Sequence, residues 1–280
     1  MRIANVDGRT AIVRDGMSLD VERASAGTFS SDPIELLEDW AAFTAWAKGG
    51  ADGEWLALET ARLRAPVPAP RQVFALAVNY RDHAAEAGAT APEHPYVFTK
   101  FPSCIVGPTD DVRLPSNRAD WEVELVVVIG QPGERVQRTD AWAHVAGVTI
   151  GQDISERRVQ FRKPFPHLSV SKSYPTFGPT GPWLVTPDEL ANPDDLAITC
   201  EINGAEMQAS RTSELIFGVP ELIEAISASV TLLPGDLIFT GTPAGVGSTR
   251  DPRMYLTDGD LITSAIEGVG EMNNRCVQAS

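Results

Sequence analysis

The stretch Asp120-Trp121-Glu122-Val123-Glu124-Leu125-Val126-Val127-Val128-Ile129 decides how the body of this chain is built. Its β-branched and aliphatic residues strongly favour a strand. Because side chains alternate between the two faces of a strand, Glu122 and Glu124 point to the same side, roughly 7 Å apart. Two ionised carboxylates beside so apolar a run repel each other and lose hydration, which calls for a compensating cation. The alternative is an edge strand whose two glutamates are solvated.

A third carboxylate follows the next apolar run. Val145 to Ile150 predicts another strand, and Asp153 comes directly after it in Gly151-Gln152-Asp153, so three carboxylates could converge. Three carboxylate oxygens, with waters and substrate oxygens, satisfy the octahedral preference of Mg²⁺ or Mn²⁺. Zinc more usually recruits His or Cys, and no two of the four histidines have metal-pair spacing. The pattern favours Mg²⁺ or Mn²⁺ held by Glu122, Glu124 and Asp153.

Around these two runs the chain is mostly β with a few helices. The best helix runs from Val219 to Leu232, ahead of the turn Pro234-Gly235-Asp236. No fixed-period repeat or glycine-rich Rossmann fingerprint occurs, which argues against solenoids, propellers and dinucleotide-binding domains. The other predicted strands are Val73 to Val78, Ala197 to Ile202, Leu237 to Thr240 and Leu261 to Ile266.

The first residues have a pattern of their own. Arg2 to Val6 and Thr10 to Val13 are short apolar runs around Asp7-Gly8, which predicts a β-hairpin. From Pro33 to Lys48 the apolar residues recur at steps of three and four, which predicts one amphipathic helix ending at Gly49-Gly50.

Three prolines between Pro66 and Pro70 remove backbone donors and favour an extended connector. We therefore predict a small N-terminal α+β domain over residues 1–64, a connector over 65–70 and a catalytic domain over 71–280. The sequence assigns no role to the first of these.

The composition restricts the partners of the protein. A chain of 280 residues with 43% hydrophobic residues is long enough for a full-sized core. The formal net charge of -15 opposes binding to nucleic acid or to an anionic membrane. No run approaches the roughly 18 apolar residues of a membrane span, and Met1 to Val6 lacks the apolar region of a signal peptide. We expect a cytoplasmic protein whose three separated cysteines are simply packed.

A second group of chemically useful residues lies in Asn79-Tyr80-Arg81-Asp82-His83-Ala84-Ala85-Glu86-Ala87-Gly88. His83 and Glu86 are three apart in a plausible helical turn and hence share a face. A carboxylate beside an imidazole orients it and raises its basicity, so that it can take a proton from water or from a substrate carbon. The alternative is an ordinary solvated pair. The following residues 89–95 suit a lid that closes over substrate.

Two further regions are weaker signals. A basic patch runs from Arg157 to Lys172 in an otherwise acidic protein and could bind a substrate carboxylate. Arg158, Arg162 and Lys163 within it are better explained as solvated loop charges. The glycine-rich turn Phe239 to Gly247 permits close backbone approach to a ligand but lacks the Lys and following helix of a P-loop.

Together these segments resemble the fumarylacetoacetate hydrolase family over roughly residues 70–277. The motifs that carry the resemblance are Asn79 to Glu86, Glu122-Val123-Glu124, Gly151 to Ser155, Lys172-Ser173, Gly178 to Trp183 and Thr240-Gly241-Thr242-Pro243, in that order.

The resemblance implies a fold and a set of site residues. The fold is a mixed β-sandwich roll, usually in a homodimer. Mg²⁺ or Mn²⁺ is bound by acids matching Glu122, Glu124 and Asp153, and the dyad matching His83 and Glu86 sits on a lid. The other implied residues are Lys172 as a catalytic group and Tyr80, Arg157, Gln160 and Thr242 as substrate-binding groups.

The predicted function follows from a divalent ion that polarises a small anionic dicarbonyl substrate. The leading interpretation is a hydrolase that cleaves a carbon-carbon bond in an acylpyruvate or fumarylacetoacetate-like acid through a metal-stabilised enolate, with a place in aromatic catabolism. The runner-up is a decarboxylase or isomerase of 2-oxo diacids such as oxaloacetate or 2-oxohept-3-enedioate. Two other classes stay open: a metal-stabilised binding protein on this scaffold, and an unrelated β-barrel binding module.

Overall fold

Strands form most of the regular structure in the computed structural model of the chain, which describes residues 1–279. Within this range the strands are β1 (Arg2–Val6), β2 (Arg9–Arg14), β3 (Met17–Asp20), β4 (Trp55–Ala57), β5 (Leu63–Arg64), β6 (Val73–Ala77), β7 (Tyr96–Thr99), β8 (Ile105–Val106), β9 (Val112–Leu114), β10 (Ala119–Asp120), β11 (Val123–Ile129), β12 (Val145–Gln152), β13 (Ser155–Glu156), β14 (Gly178–Val185), β15 (Ala197–Ile202), β16 (Ala205–Arg211), β17 (Leu237–Phe239), β18 (Leu261–Ile266) and β19 (Gly270–Gln278).

The helices are short. The α-helices are α1 (Val21–Ala24), α2 (Pro33–Glu38), α3 (Trp40–Lys48), α4 (Arg81–Glu86), α5 (Arg157–Gln160), α6 (Leu168–Ser171) and α7 (Val219–Ser227). Turns of 3-10 helix cover Thr60–Arg62, Pro102–Cys104, Arg138–His144, Pro187–Glu189, Thr212–Glu214 and Gly247–Thr249.

Two large mixed sheets pack against each other, as the predicted β-sandwich roll requires. The larger sheet has the order β4-β3-β2-β1-β14-β12-β11-β17-β6-β7, with β5 added on β1 and β8 on β14. The other has the order β16-β15-β18-β19-β9. Most pairs are antiparallel, but β17 pairs with β6, β14 with β8 and β19 with β9 in parallel.

The predicted central strand lies in the middle of the larger sheet and packs against the smaller one. All seven residues of β11 are buried, and β11 contacts β15 while β12 contacts β18. Gln152 at the end of β12 donates a hydrogen bond of 2.9 Å to Ser264 Oγ on β18. Each fully buried aliphatic side chain contributes about 1.5–3 kcal/mol relative to an exposed one, so this double layer is the main source of stability.

The N-terminal residues continue the larger sheet. The predicted hairpin is confirmed, because β1 and β2 pair around Asp7 and Gly8, which both have positive φ. β1 also pairs with β14, where Ile3 faces Leu184. The ring of Trp40 lies so close to Gly130 that a Cβ there would be 2.8 Å from it. The boundary at residues 65–70 stays a prediction, and the first 64 residues cover one flank of the central strands.

Two helix predictions are wrong in their extent. The segment from Pro33 to Lys48 is two helices, α2 and α3, because Asp39 leaves helical geometry and its N–H donates to the carbonyl of Leu36, three residues back. Aspartate competes with helical backbone bonds and favours helix ends.

The second helix ends early. α7 stops at Ser227 instead of continuing to Leu232, because Leu232 forms a β-bridge with Gly133. Ser227 Oγ meanwhile accepts a hydrogen bond from the backbone of Val136. The three cysteines are buried and free, as predicted.

Candidate active site

The three predicted acids meet where β11 begins and β12 ends. Glu122 precedes β11, Glu124 lies within it, and Asp153 follows β12. The antiparallel register sets Val123 opposite Gln152, and the backbone N–H of Asp153 donates to the carbonyl of Glu122 at 2.9 Å. One oxygen from each carboxylate lies within 4.8 Å of the others, and all three side chains are buried. The sheet register therefore produces the predicted convergence.

The donor set fits a divalent ion. Three carboxylates supply hard oxygen atoms, which Mg²⁺ and Mn²⁺ prefer over nitrogen or sulfur. Glu124 Oε2 accepts from the N–H of Gly241 at 2.7 Å, which orients this carboxylate toward the other two. The site formed by Glu122, Glu124 and Asp153 can therefore hold Mg²⁺ or Mn²⁺.

Two buried lysines neutralise part of this negative charge. Lys172 Nζ donates to Glu122 Oε2 at 2.5 Å and to Asp153 Oδ2 at 2.7 Å. Lys100 Nζ donates to Asp153 Oδ1 at 2.6 Å and to the carbonyl of Phe177 at 3.1 Å. Burial alone would lower the pKa of Lys172, but Asp153 and Glu122 raise it, so the amine stays protonated. The acids and amines form one alternating network.

A cavity of about 180 Å³ opens beside these acids. Its lining combines charged and polar side chains with apolar ones. The residues that line it are Leu76, Ala77, Val78, His83, Ala87, Phe98, Glu122, Arg157, Gln160, Phe161, Leu168, Lys172, Thr242, Val246, Ser248 and Thr249.

Arg157 contributes a guanidinium to the lining of this cavity. Its Nη1 donates to Gln160 Oε1 at 2.8 Å, and its Nη2 is 2.7 Å from Glu122 Oε1 without hydrogen-bond geometry. Among residues 1–279, this buried Nη2 has no hydrogen-bond partner. Burial alone would lower the pKa of Arg157, but Asp120 and Glu122 raise it above its usual range. A permanent positive charge thus lies in the lining of the cavity.

The predicted dyad forms on α4. His83 Nδ1 is 3.2 Å from Glu86 Oε2, and Glu86 Oε1 accepts from the N–H of Gly245 at 3.0 Å. Burial alone would raise the pKa of Glu86, but hydrogen bonds from His83, Thr249 and Gly245 lower it. We therefore assign the imidazole proton to Nδ1, which leaves Nε2 as the basic atom.

The other predicted substrate-binding residues are Thr242 and Tyr80, and both are buried. Thr242 lines the cavity, but its hydroxyl donates to the carbonyl of Val123 at 2.9 Å and accepts from Gln208 Nε2 at 2.8 Å. Tyr80 is fully buried and does not line the cavity. Burial and the charge of Glu124 raise the pKa of Tyr80, so the phenol stays neutral. Substrate contact by Tyr80 or Thr242 stays a prediction.

The basic patch divides as expected. Arg157, Gln160 and Lys172 are buried around the cavity, whereas Arg158, Arg162 and Lys163 are exposed.

Sequence reasoning missed two buried charged residues at the site, Lys100 and Asp120. Both are fully buried. Lys100 directly follows the strand Tyr96–Thr99. A lysine next to such a run was the available signal that a charged side chain is buried there. Asp120 is two residues before Glu122 in the stretch Asp120 to Ile129, and this repeat of acids at every second residue was the available signal.

Comparison with known proteins agrees with this arrangement. A family model described as the C-terminal domain of fumarylacetoacetate (FAA) hydrolase matches residues 72–277, which include every proposed site residue. The fold and site define an enzyme of the fumarylacetoacetate hydrolase family, and this chain belongs to that family.

Particular relatives carry different activity names. Oxaloacetate tautomerase FAHD2A, mitochondrial, from Bos taurus is 46% identical over 215 residues, covering 76% of this chain and 68% of that protein. The crystal structure of a putative HpcE protein from Mycobacterium smegmatis is 49% identical, covers 100% of both chains and has a TM-score of 0.94.

Maleylpyruvate hydrolase from Sphingobium sp. SYK-6, crystallised with manganese(II) and pyruvate, is 31% identical with full coverage of both chains and a TM-score of 0.83. A relative with this fold therefore contains manganese, in agreement with the acid triad. Among the described residues, no helix has the length and apolar character to cross a membrane.

Proposed function

We propose that this enzyme transfers a proton at the carbon next to the 2-oxo group of a small 2-oxo acid, and that keto-enol conversion of an oxaloacetate-type diacid is its main reaction. The observation that carries the proposal is a single cavity lined by His83, Arg157 and Glu122, the last of which belongs to the acid triad. The relatives named oxaloacetate tautomerase support the choice of reaction.

The cavity suits a small anion. Its volume of about 180 Å³ is below the roughly 300–1,000 Å³ of pockets for drug-sized ligands. Arg157 lines the cavity as a buried guanidinium whose Nη2 lies 2.7 Å from Glu122 Oε1, and a substrate carboxylate in the cavity would meet its positive charge. Gln160 Oε1 accepts from Nη1 of the same guanidinium and so orients it.

His83 is the general base that transfers the substrate proton. Nε2 of His83 takes the proton from the substrate carbon, and Glu86 stabilises the imidazolium that results. The electron pair moves to the former carbonyl oxygen, and returning the proton to that oxygen completes the enol. The Lys172 ammonium stabilises developing negative charge nearby. When bound by the acid triad, Mg²⁺ or Mn²⁺ supplies Lewis-acid polarisation of the 2-oxo group.

Carbon-carbon hydrolysis of an acylpyruvate is the second candidate. The observation that favours it is the apolar part of the cavity lining, where Leu76, Phe98 and Leu168 offer surface to an acyl chain. In this reaction His83 takes a proton from water, and hydroxide adds to the acyl carbonyl. The carbon-carbon bond then breaks to give a carboxylic acid and the enolate of pyruvate, and the proton held by His83 passes to the enolate carbon to give pyruvate. The 31% identical maleylpyruvate hydrolase supports this alternative.

The test compares two substrates with the manganese-loaded enzyme. For oxaloacetate, we would follow the decay of the enol absorbance and, separately, pyruvate and carbon dioxide. For acetylpyruvate, we would follow pyruvate release. Tautomerase activity predicts faster enol decay without pyruvate, whereas hydrolase activity predicts pyruvate from acetylpyruvate. Pyruvate together with carbon dioxide from oxaloacetate indicates a decarboxylase.

A histidine pair provides the control. His83→Asn should lower turnover at least about 100-fold, as expected for loss of a general base. His144→Asn should leave turnover unchanged, because His144 precedes β12 at the end opposite Asp153. Equal effects of the two substitutions, or no turnover of either substrate, would overturn the proposal.

A further inference from the structure

A carboxylate just outside the cavity connects two parts of the candidate active site. Asp120 is fully buried in β10 and does not line the cavity. It accepts hydrogen bonds from Arg157 Nε at 2.7 Å, from the N–H of Gly247 at 2.7 Å and from the N–H of Ser248 at 2.9 Å. The N–H of Trp121 is a fourth donor at 2.9 Å. Asp120 thus binds both the Arg157 side chain and the backbone turn at Gly247 and Ser248.

The first group that Asp120 holds, called the first arm below, is the guanidinium of Arg157. Asp120 holds Nε and Gln160 holds Nη1, which together fix the plane of the group. Nη2 lies 2.7 Å from Glu122 Oε1, and the Arg157 side chain lines the cavity. Asp120 therefore determines which part of Arg157 is offered to a bound carboxylate.

The second arm is the turn from Gly245 to Thr249. Gly247 is fixed tightly, since a Cβ there would overlap the carbonyl oxygen of Met254 and lie 2.8 Å from Asp120 Oδ1. The same turn lines the cavity through Ser248 and Thr249, and its Gly245 N–H donates to Glu86. The turn that Asp120 anchors is thus the support of the His83 partner.

We infer that Asp120 is a positioning residue that holds the carboxylate-binding guanidinium of Arg157 and the turn supporting the His83–Glu86 dyad in one fixed geometry. The inference rests on the proposed function, because it assumes that Arg157 binds a 2-oxo acid. Asp120 itself touches no substrate.

The first test measures binding of pyruvate to the manganese-loaded protein by calorimetry. Asp120→Asn keeps the shape but replaces one acceptor oxygen by a donor, which must face Arg157 or the turn. We expect pyruvate affinity to fall at least tenfold while the manganese-induced rise in melting temperature is retained. The matched control is Asp236→Asn, because Asp236 is equally buried and accepts from Gln72 and Leu233 at the other end of β17. Its pyruvate affinity should stay within twofold of the wild type.

A double-mutant cycle shows whether the effect passes through Arg157. In an Arg157→Ala background, Asp120→Asn should change pyruvate affinity less than twofold. A full tenfold loss in that background would overturn the inference. So would wild-type affinity of the Asp120→Asn single variant, or loss of its response to manganese.

A milder variant tests the second arm and covers the case in which Asp120→Asn does not fold. Ser248→Pro removes one N–H donor to Asp120 and leaves both carboxylate and guanidinium intact. Turnover should fall severalfold with unchanged pyruvate affinity, and unchanged turnover would contradict this arm. A wild type that binds pyruvate without turning over any 2-oxo acid would overturn only the proposed reaction. A wild type that binds no pyruvate would overturn both.

Discussion

Glu122, just before β11, and Glu124, within it, converge on one candidate metal site, yet their surroundings move their pKa values in opposite directions. Burial alone would raise the pKa of Glu122, but Lys172 and Arg157 outweigh it and lower the value to about 2. Burial raises the pKa of Glu124 well above its usual value, and repulsion from Asp153 and Glu122 adds to the effect. One of the pair is stabilised as an anion, and the other is destabilised.

The two glutamates should therefore respond differently to neutralisation in metal-free protein. Glu124→Gln should raise the melting temperature by about 3 °C, because it removes a carboxyl whose ionised form is destabilised by burial and by Asp153 and Glu122. Glu122→Gln should lower it by about 5 °C, because the substitution leaves Lys172 and Arg157 less compensated. Calorimetry in excess chelator measures both, and a fall of similar size in both variants would contradict the assignment.

The pH dependence of stability follows from the same shifts in metal-free protein. Glu122 has a lowered folded pKa, so its contribution is present above pH 4.5 and is lost as pH falls toward about 2. Glu124 has a raised folded pKa, so its contribution is lost as pH rises above 4.5. Urea unfolding at a series of pH values should show a smaller decline above pH 4.5 in Glu124→Gln than in the wild type.

Metal binding should stabilise the folded chain. At a manganese concentration about 100 times the dissociation constant, linkage predicts about 2.7 kcal/mol of stabilisation. For a chain of this size that corresponds to a rise of about 5 °C in melting temperature. Glu122→Gln and Glu124→Gln should both abolish the rise, as measured by calorimetry with and without chelator. Retention of the full rise in both variants would exclude this site.

Residues 71–280 alone should be poorly stable. Removing the first 70 residues would expose the edge of β14, where Ile3 pairs with Leu184, and would uncover Gly130 beneath Trp40. We expect low soluble yield, and restoration when residues 1–70 are co-expressed as a separate chain. A cooperatively unfolding fragment with the urea midpoint of the full chain would show instead that these residues are dispensable.

A homodimer remains a prediction, and the segment around α6 offers a surface for a second copy. Phe161, Phe165 and Val170 are all more than half exposed. Arg162 and Lys163 beside them complement a chain of net charge -15. Sedimentation should give twice 30.1 kDa for the wild type and a monomer for Phe165→Asp. Val230→Asp, at an exposed site on another loop, should remain dimeric.

The sequence predicted the Glu122–Glu124 pair and the His83–Glu86 dyad because local spacing determines both, whereas Asp153 joins the acids through the pairing of β11 with β12. Alternation along a strand puts Glu122 and Glu124 on one face, and a helical turn brings His83 to Glu86. Each pair spans at most four residues, and both pairs are close together in the folded chain. The strands were predicted well for the same reason, since β15 and β18 match their apolar runs.

Long-range packing explains what the sequence did not predict. Lys100 meets Asp153 across 53 residues, and Asp120 meets Gly247 across 127. No local pattern encodes such pairs. The early end of α7 likewise depends on a tertiary contact, the bridge between Leu232 and Gly133. Cytoplasmic location and a role in aromatic catabolism stay predictions.

The parallel pairing of β6 with β17 has a consequence for the order of assembly. β11 and β12, which carry the acids, are neighbours in sequence, so their antiparallel pairing closes a short loop. β6 precedes the dyad, β17 precedes its supporting turn, and Leu237 pairs with Val73 only after a far longer loop has closed. Contacts of long sequence separation form slowly. During refolding, manganese affinity should therefore return before turnover does.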